Sequence, residues 1–179
     1  MDREQVFDLI AQPDLIHPPY GFIAIFAFAG LVLIAVACLS WRFKWRNRKF
    51  LALFAPVWVV LVIWLSTLDA IDVWHIRDKV KARDYTNIEG CLDYFHPGDA
   101  VPSKGTDGNE RWRLGGHDFS YGSGEARPGY HAVATAGGIV HADSRLSVSF
   151  VRSDYYGRME IVRIKAVPHA CPTAPDRGV

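Results

Sequence analysis

The chain has 179 residues, of which 50% are hydrophobic and 22% are charged, and its formal net charge is +1. This near balance, without a basic stripe in the C-terminal part, argues against a nucleic-acid-binding protein, so no nucleic-acid partner is expected. The apolar residues are unevenly distributed and concentrate in two long runs near the N-terminus. The composition therefore predicts a membrane part followed by a small water-facing domain of about 110 residues.

Two uncharged apolar runs, residues 20–40 and 50–68, follow an N-terminal segment of residues 1–19. Each run has about the 20 residues that a helix needs to cross the roughly 30 Å hydrocarbon core of a bilayer. The runs contain no charged residue, which argues against a transporter or a pump. We therefore predict a hairpin of two transmembrane helices, with the lipid bilayer as its partner.

The loop between the runs, residues 41–49, carries five basic residues and no acidic one. Short loops rich in Lys and Arg stay in the cytoplasm, so both termini and everything after residue 68 are expected on the extracytoplasmic side of the membrane. Cations and tryptophan rings of this kind anchor a helix end at the lipid headgroups. The predicted anchors are Trp41, Arg42, Lys44, Trp45, Arg46, Arg48 and Lys49.

Two further helices are predicted outside the membrane. Within residues 1–14, four apolar residues fit a short amphipathic helix that Pro13 would end. Residues 69–84 continue the helical spacing and form a linker helix that ends near Asp84. The apolar residues that would form the apolar face of this short helix are Val6, Phe7, Leu9 and Ile10.

The positions of the three cysteines are related to the cellular compartment of the domain after residue 68. Cys38 lies inside the first apolar run, whereas Cys91 and Cys171 lie in the part that is expected outside. Extracytoplasmic compartments permit disulfides, so we predict a Cys91–Cys171 bond, with two unpaired buried thiols as the alternative. The bond would close a loop of about 80 residues and contribute roughly 4.5 kcal/mol in the chain-entropy model.

Residues 85–168 change to a period of two, which is typical of strands, and residues 169–179 are a tail. Segments 145–152 and 159–167 are the clearest strands, and segments 111–114 and 117–121 form a tight hairpin. About five strands are expected, one of them over residues 88–95, with polar loop residues 97–110 after it. The fold class is thus α+β, with a small all-β domain that is an OB-like barrel or a five-stranded sandwich.

Six short motifs follow one another along the β domain: Ile88-Glu89-Gly90, Phe95-His96-Pro97, the hairpin of residues 116–121, Pro128-Gly129-Tyr130, Gly137-Gly138-Ile139 and the strand of residues 148–150. With these motifs the domain resembles a family of small, membrane-anchored bacterial proteins, which implies a bacterial inner membrane as the location. The family pattern has Val at position 88, Phe at 130 and Tyr at 150, so the match departs there. The resemblance implies a fold and no activity.

The sequence contains no recognisable catalytic or metal-binding motif. Four histidines of the β domain lack the HxH or HxxxH spacing of metal ligands, so we expect no metal and no cofactor. Phosphate loops and nucleophile elbows are absent from the sequence, so we expect no enzyme. The four histidines are His96, His117, His131 and His141.

The aromatic residues of the β domain allow two interpretations. They fill the core of a small barrel, or those between residues 117 and 139 form a contact site made of Phe119, Tyr121, Tyr130 and His131. The leading functional hypothesis is a membrane-anchored extracytoplasmic interaction module that binds another envelope protein, the membrane surface or a second copy of itself. The alternative is a ligand-gated effector, whose barrel senses a small molecule such as a nucleotide in the cytoplasm.

Overall fold

The computed structural model describes residues 5–98, 108–123, 125 and 127–176. The chain divides into a helical unit, His17–Trp74, and a β unit made of the segments Met1–Ile16 and His75–Val179. Most of the predicted polar loop 97–110 lies outside the described residues.

The helical unit consists of two long helices, α1 (Tyr20–Arg42) and α2 (Arg48–Lys81). Both are long and apolar enough to span a membrane. Only 17% of the most apolar stretch of α1 and 6% of that of α2 are buried, so neither is the core helix of this chain. Helix α2 also includes residues 69–81 of the predicted helical linker 69–84, so that segment continues the second long helix, as its spacing predicted.

The β unit contains two antiparallel sheets. One has the strand order β1-β7-β6-β2 and the other β3-β4-β5. We expected either an OB-like barrel or a five-stranded sandwich. In the described part of the chain no ladder joins the two sheets into a closed barrel, and there are seven strands. The strands are β1 (Gln5–Asp8), β2 (Thr86–Cys91), β3 (Tyr94–His96), β4 (Asn109–Leu114), β5 (His117–Gly122), β6 (Arg145–Arg152) and β7 (Met159–Val167).

One apolar core lies within the β unit, and its members follow from the alternation along each strand. On β6, Val148 is opposite Ile88 of β2 and Ile164 of β7. Side chains of the second sheet enter the same core from β4 and β5, where Trp112 is opposite Phe119. The predicted bounds of β6 and β7 are confirmed, because their alternation is regular and strongly apolar.

The tight hairpin between β4 and β5 is confirmed. Its two turn residues, Gly115 and Gly116, have φ angles of 57° and 80°. A two-residue turn with both φ angles positive matches the twist of the flanking strands, and glycine adopts it without strain.

The predicted N-terminal helix is wrong in the described residues 5–14. Residues 5–8 form β1, in which Phe7 is opposite Ile164 of β7, and the Leu9 amide donates to the Val162 carbonyl at 2.8 Å. A helix of this length is marginal in water, whereas an edge strand gains a ladder of hydrogen bonds from a sheet that already exists. The tertiary pairing therefore decides the local structure.

The predicted strand 88–95 is two strands in different sheets. The chain leaves the first sheet at Cys91 and enters the second at Tyr94, and the Asp93 amide donates to the Arg113 carbonyl at 2.9 Å. In the sequence the alternation of Ile88, Leu92 and Tyr94 runs on through this crossing, but the buried face changes: Leu92 and Phe95 lie in the core, whereas Tyr94 is only partly buried. Periodicity alone therefore gives no sign of the change of sheet.

The last two turns of α2 belong to the β unit. Ile76 and Val80 are buried there. Lys79 binds Asp154 at 2.6 Å, and Asp14 accepts hydrogen bonds from Arg77 and Lys81. Because exposed ion pairs contribute little each, the buried aliphatic side chains supply most of the attachment.

Cys91 and Cys171 form the expected disulfide, with their Cα atoms 5.7 Å apart. The bond joins the end of β2 to the C-terminal tail, which is held further by backbone bonds. The Cys171 amide donates to the Asp143 carbonyl at 3.0 Å, and the Ala174 amide donates to the Ala142 carbonyl at 2.7 Å. The described part of the predicted tail is therefore packed against the β unit.

Candidate functional site

The three aromatic rings predicted to form a contact site lie in the core. Phe119 and Tyr121 point inward from β5, and both are 2% exposed; Tyr130 is 5% exposed. The Trp112 and Phe119 rings stack with centroids 4.3 Å apart, and the Tyr121 and Tyr130 rings meet edge to face at 5.6 Å. These rings offer no exposed surface to a partner, which corrects our expectation for Phe119, Tyr121 and Tyr130.

A buried carboxyl group lies beside these rings. Glu110 is fully buried on the inward face of β4, where it accepts hydrogen bonds from the Tyr121 hydroxyl at 2.5 Å and the Ala134 amide at 2.6 Å. The Trp112 indole nitrogen donates to the same Tyr121 hydroxyl at 3.1 Å. Burial raises the pKa of Glu110 to about 7, although both hydrogen bonds favour its charged form.

Ala134 is positioned by a short turn in the segment between β5 and β6. Residues Ala134–Ala136 form a 3₁₀ turn, and the Gly138 amide donates back to the Val133 carbonyl at 2.9 Å. A Cβ atom at Gly138 would lie 2.3 Å from the Ala132 carbonyl oxygen, so only glycine permits this approach. The Tyr130 hydroxyl accepts from the Ile139 amide at 2.6 Å and holds the other side of the turn.

His131 belongs to a second polar group, in which two carboxylates share one arginine. Arg127 binds Glu125 and, at 2.5 Å, Glu160, and its Nη2 donates to the Ser120 carbonyl at 3.3 Å. The His131 Nε2 atom is 3.8 Å from a Glu125 oxygen and 3.9 Å from a Glu160 oxygen. We call Glu125, Arg127, His131 and Glu160 the ion cluster.

Burial controls the charges in the ion cluster. It raises the pKa of Glu160, whereas it lowers the pKa of His131 to about 4 with a further contribution from the Arg127 charge. His131 is therefore neutral at neutral pH, and Arg127 is the cation that both glutamates share. Paired in this way, the cluster attaches the segment before β6 to β5 and β7.

No group of three or more His, Cys, Asp or Glu in the described residues is arranged to hold a metal ion. Two of the other histidines of the β domain make contacts of their own. His96 pairs with Asp176 at 3.0 Å, and the His117 ring packs against that of Phe150. Neither glutamate of the ion cluster is free to bind a metal while Arg127 joins them.

The exposed aromatic residues of the β unit are at the turn between β6 and β7. Tyr155 is 50% exposed and Tyr156 is 46% exposed, and the Arg158 guanidinium lies 5.3 Å from the centroid of the Tyr156 ring. We call Tyr155, Tyr156 and Arg158 the turn patch. Tyrosine and arginine are enriched where proteins bind each other, so this patch fits a contact surface better than the buried rings.

The predicted membrane anchors lie at the turn of the helical unit. Trp41 and Trp45 are about half exposed, and the Arg48 guanidinium lies 5.4 Å from the centroid of the Trp41 ring. The predicted basic residues at positions 42, 44, 46 and 49 are exposed as well.

Sequence reasoning missed Glu110 and the ion cluster. A signal for Glu110 was present, since it shares the inward alternation of β4 with Trp112 and Leu114. No such signal exists for the ion cluster, whose members come from a segment without periodicity and from β7.

Comparison with known proteins adds no relationship: no family, no curated protein and no solved structure matches this chain. The resemblance to a bacterial membrane-anchored family therefore stays a prediction.

Proposed function

We propose that this chain is an integral membrane protein whose β unit lies outside the cytoplasm and binds an envelope protein. The observation that carries the proposal is the outward exposure of large apolar side chains along both helices. In water such a surface is an aggregation hazard, whereas in a bilayer it is covered by lipid. Members of this surface that are at least 60% exposed include Ile25, Phe28, Leu31, Leu53, Val60, Ile63 and Trp64.

The pairing of β1 with β7 supports a hairpin that crosses the membrane twice. Strand β1 precedes α1 in the chain, and β7 follows α2, yet the two strands share a ladder. Two segments that hydrogen-bond to each other must lie on the same side of a membrane. The chain between them therefore crosses an even number of times, as two spanning helices do.

Two independent features favour an extracytoplasmic β unit. The loop between the helices is basic and lacks acidic residues, which is typical of a cytoplasmic loop. The second feature is the Cys91–Cys171 disulfide. Disulfides persist in oxidising compartments and are rare in the cytosol. A cytoplasmic ligand-gated effector, the alternative hypothesis, requires the opposite orientation.

Fusions decide between the two orientations. Alkaline phosphatase fused after residue 179 should be active, and a green fluorescent protein at the same position should be dark. Fusions after Asn47, in the loop between the helices, are the matched control and should give the reverse pattern. An active phosphatase at Asn47 together with a fluorescent C-terminal fusion would refute the proposal and favour the effector.

The turn patch is the surface on which we expect the envelope partner to bind. A photo-crosslinking amino acid at Tyr156 should capture that partner in intact cells. The same amino acid at Glu89, an exposed residue of β2, is the control and should capture less. Equal capture at both positions would exclude the turn patch as the binding surface.

A further inference from the structure

The turn of the helical unit is short and ordered by its own backbone. Helix α1 ends at Arg42 and α2 begins at Arg48, so residues 43–47 reverse the chain. The Trp45 amide donates to the Ser40 carbonyl at 3.0 Å, and the Arg48 amide donates to the Trp45 carbonyl at 3.2 Å. These bonds fix the backbone of the short segment that carries the cationic side chains.

This turn carries a concentrated positive charge that no acidic neighbour in the sequence offsets. Residues 41–49 include five cations, and no Asp or Glu occurs between Asp14 and Asp69. The cations alternate with three exposed rings: Trp41, Phe43 and Trp45 are 55%, 65% and 49% exposed. The cations of this surface therefore need anionic partners, and its aromatic rings need an apolar environment.

We propose that the turn binds the phosphate groups of anionic phospholipids, an inference that rests on the proposed membrane insertion. Guanidinium groups bind phosphate oxygens through paired hydrogen bonds. A free phosphate ion would meet the charges but leave the three rings in water. A phospholipid presents its phosphate next to hydrocarbon, where Trp rings settle, and an anionic headgroup retains the negative charge that a zwitterionic one neutralises.

Native mass spectrometry of the full chain in detergent tests this preference. Phosphatidylglycerol should bind at least about tenfold more tightly than phosphatidylcholine, because several cations near an anionic headgroup each contribute to the binding free energy. The variant R42Q/R46Q/R48Q should reduce the preference to less than about twofold, and R42K/R46K/R48K, which keeps the charge, should retain most of it. The control R83Q/R145Q/R152Q, with exposed arginines of the β unit, should bind like the unmodified chain.

Three results would overturn the inference. These are equal binding of the two lipids, an unchanged preference in the glutamine variant whose helix content is intact by circular dichroism, and displacement of phosphatidylglycerol by inorganic phosphate. Should the glutamine variant lose helix content, K44Q/K49Q replaces it and must weaken phosphatidylglycerol binding. Extraction of cell membranes at alkaline pH tests membrane insertion separately from lipid preference. A chain that stays in the membrane but shows no lipid preference would refute the lipid site and leave the proposed membrane insertion intact.

Discussion

Glu110 is a fully buried carboxyl group in the β unit, so hydrogen bonds must offset the free-energy cost of its burial. A carboxyl group buried without hydrogen bonds is strongly destabilising. Here Tyr121 and the Ala134 amide each donate to one of its oxygens. The carboxyl group thereby joins β4, β5 and the turn Ala134–Ala136, and it fixes a long segment that has little regular structure.

Substitution of Tyr121 by Phe should show how much this network contributes. The ring remains, but Glu110 loses a donor and the Trp112 indole nitrogen loses its acceptor. The free energy of unfolding should fall by about 1–3 kcal/mol. Thermal melting of the full chain in detergent, followed by circular dichroism, measures the change. The control is Tyr94→Phe, because the Tyr94 hydroxyl bonds Asp118 at an exposed position, and it should change stability little. A Tyr121→Phe protein that melts like the control would show that the network is dispensable.

The stability of the β unit should depend on pH through Glu110. Its pKa is raised from 4.5 to about 7 by burial, so the folded state binds the proton more tightly than the unfolded state. The stability that protonation provides is complete below about pH 4.5 and is lost as the pH rises through about 7. The full difference is roughly 3 kcal/mol.

The variant Glu110→Gln should flatten this part of the pH profile, because glutamine stays neutral and can use the hydrogen-bonding pattern of the protonated acid. Glu89→Gln, at an exposed position of β2, should leave the profile unchanged. Melting temperatures measured between pH 5 and about 8 provide the comparison. Parallel profiles for the Glu110→Gln protein and the unmodified chain would show that Glu110 does not titrate in this range.

At the scale of elements, the sequence predicts what is local and strongly patterned. The two apolar runs, the glycine turn at residues 115–116 and strands β6 and β7 are confirmed. Strand β1 and the crossing between β2 and β3 were missed. Both depend on partners far away in the chain, and neither changes the local periodicity. For the same reason the aromatic residues of β5 could be placed in a core or at a contact site from the sequence alone.

The disulfide joins two elements that are 80 residues apart in the chain. Replacing Cys91 and Cys171 by Ser should therefore lower the free energy of unfolding by about 4.5 kcal/mol in the chain-entropy model. Cys38→Ser, which leaves the bond intact, is the control and should melt like the unmodified chain. Thiol labelling under non-reducing conditions should modify neither Cys91 nor Cys171. If both react in the native protein, the bond is absent from the cellular form.

At the scale of the whole molecule, the β unit is assembled from both ends of the chain. Strand β1 is made before either long helix, and β7 is made after both. The β unit can therefore be completed only after both helices have been synthesised. With the membrane insertion that we propose, this arrangement would couple folding of the β unit to the number of membrane crossings.

An engineered disulfide between β1 and β7 tests this coupling. Val6 and Lys165 are opposite each other in the antiparallel ladder. Opposed residues have Cα atoms about 4.5–5.5 Å apart, which is within the range of a disulfide. In the variant Val6→Cys/Lys165→Cys, mass spectrometry of a non-reduced digest should find the two peptides joined. The control Val6→Cys/Arg83→Cys places the second cysteine outside the β1–β7 ladder and should give no such pair. If neither variant forms the link in cells although Cys91 and Cys171 remain bonded, the N-terminus does not pair with β7 there, and the argument for an even number of crossings fails.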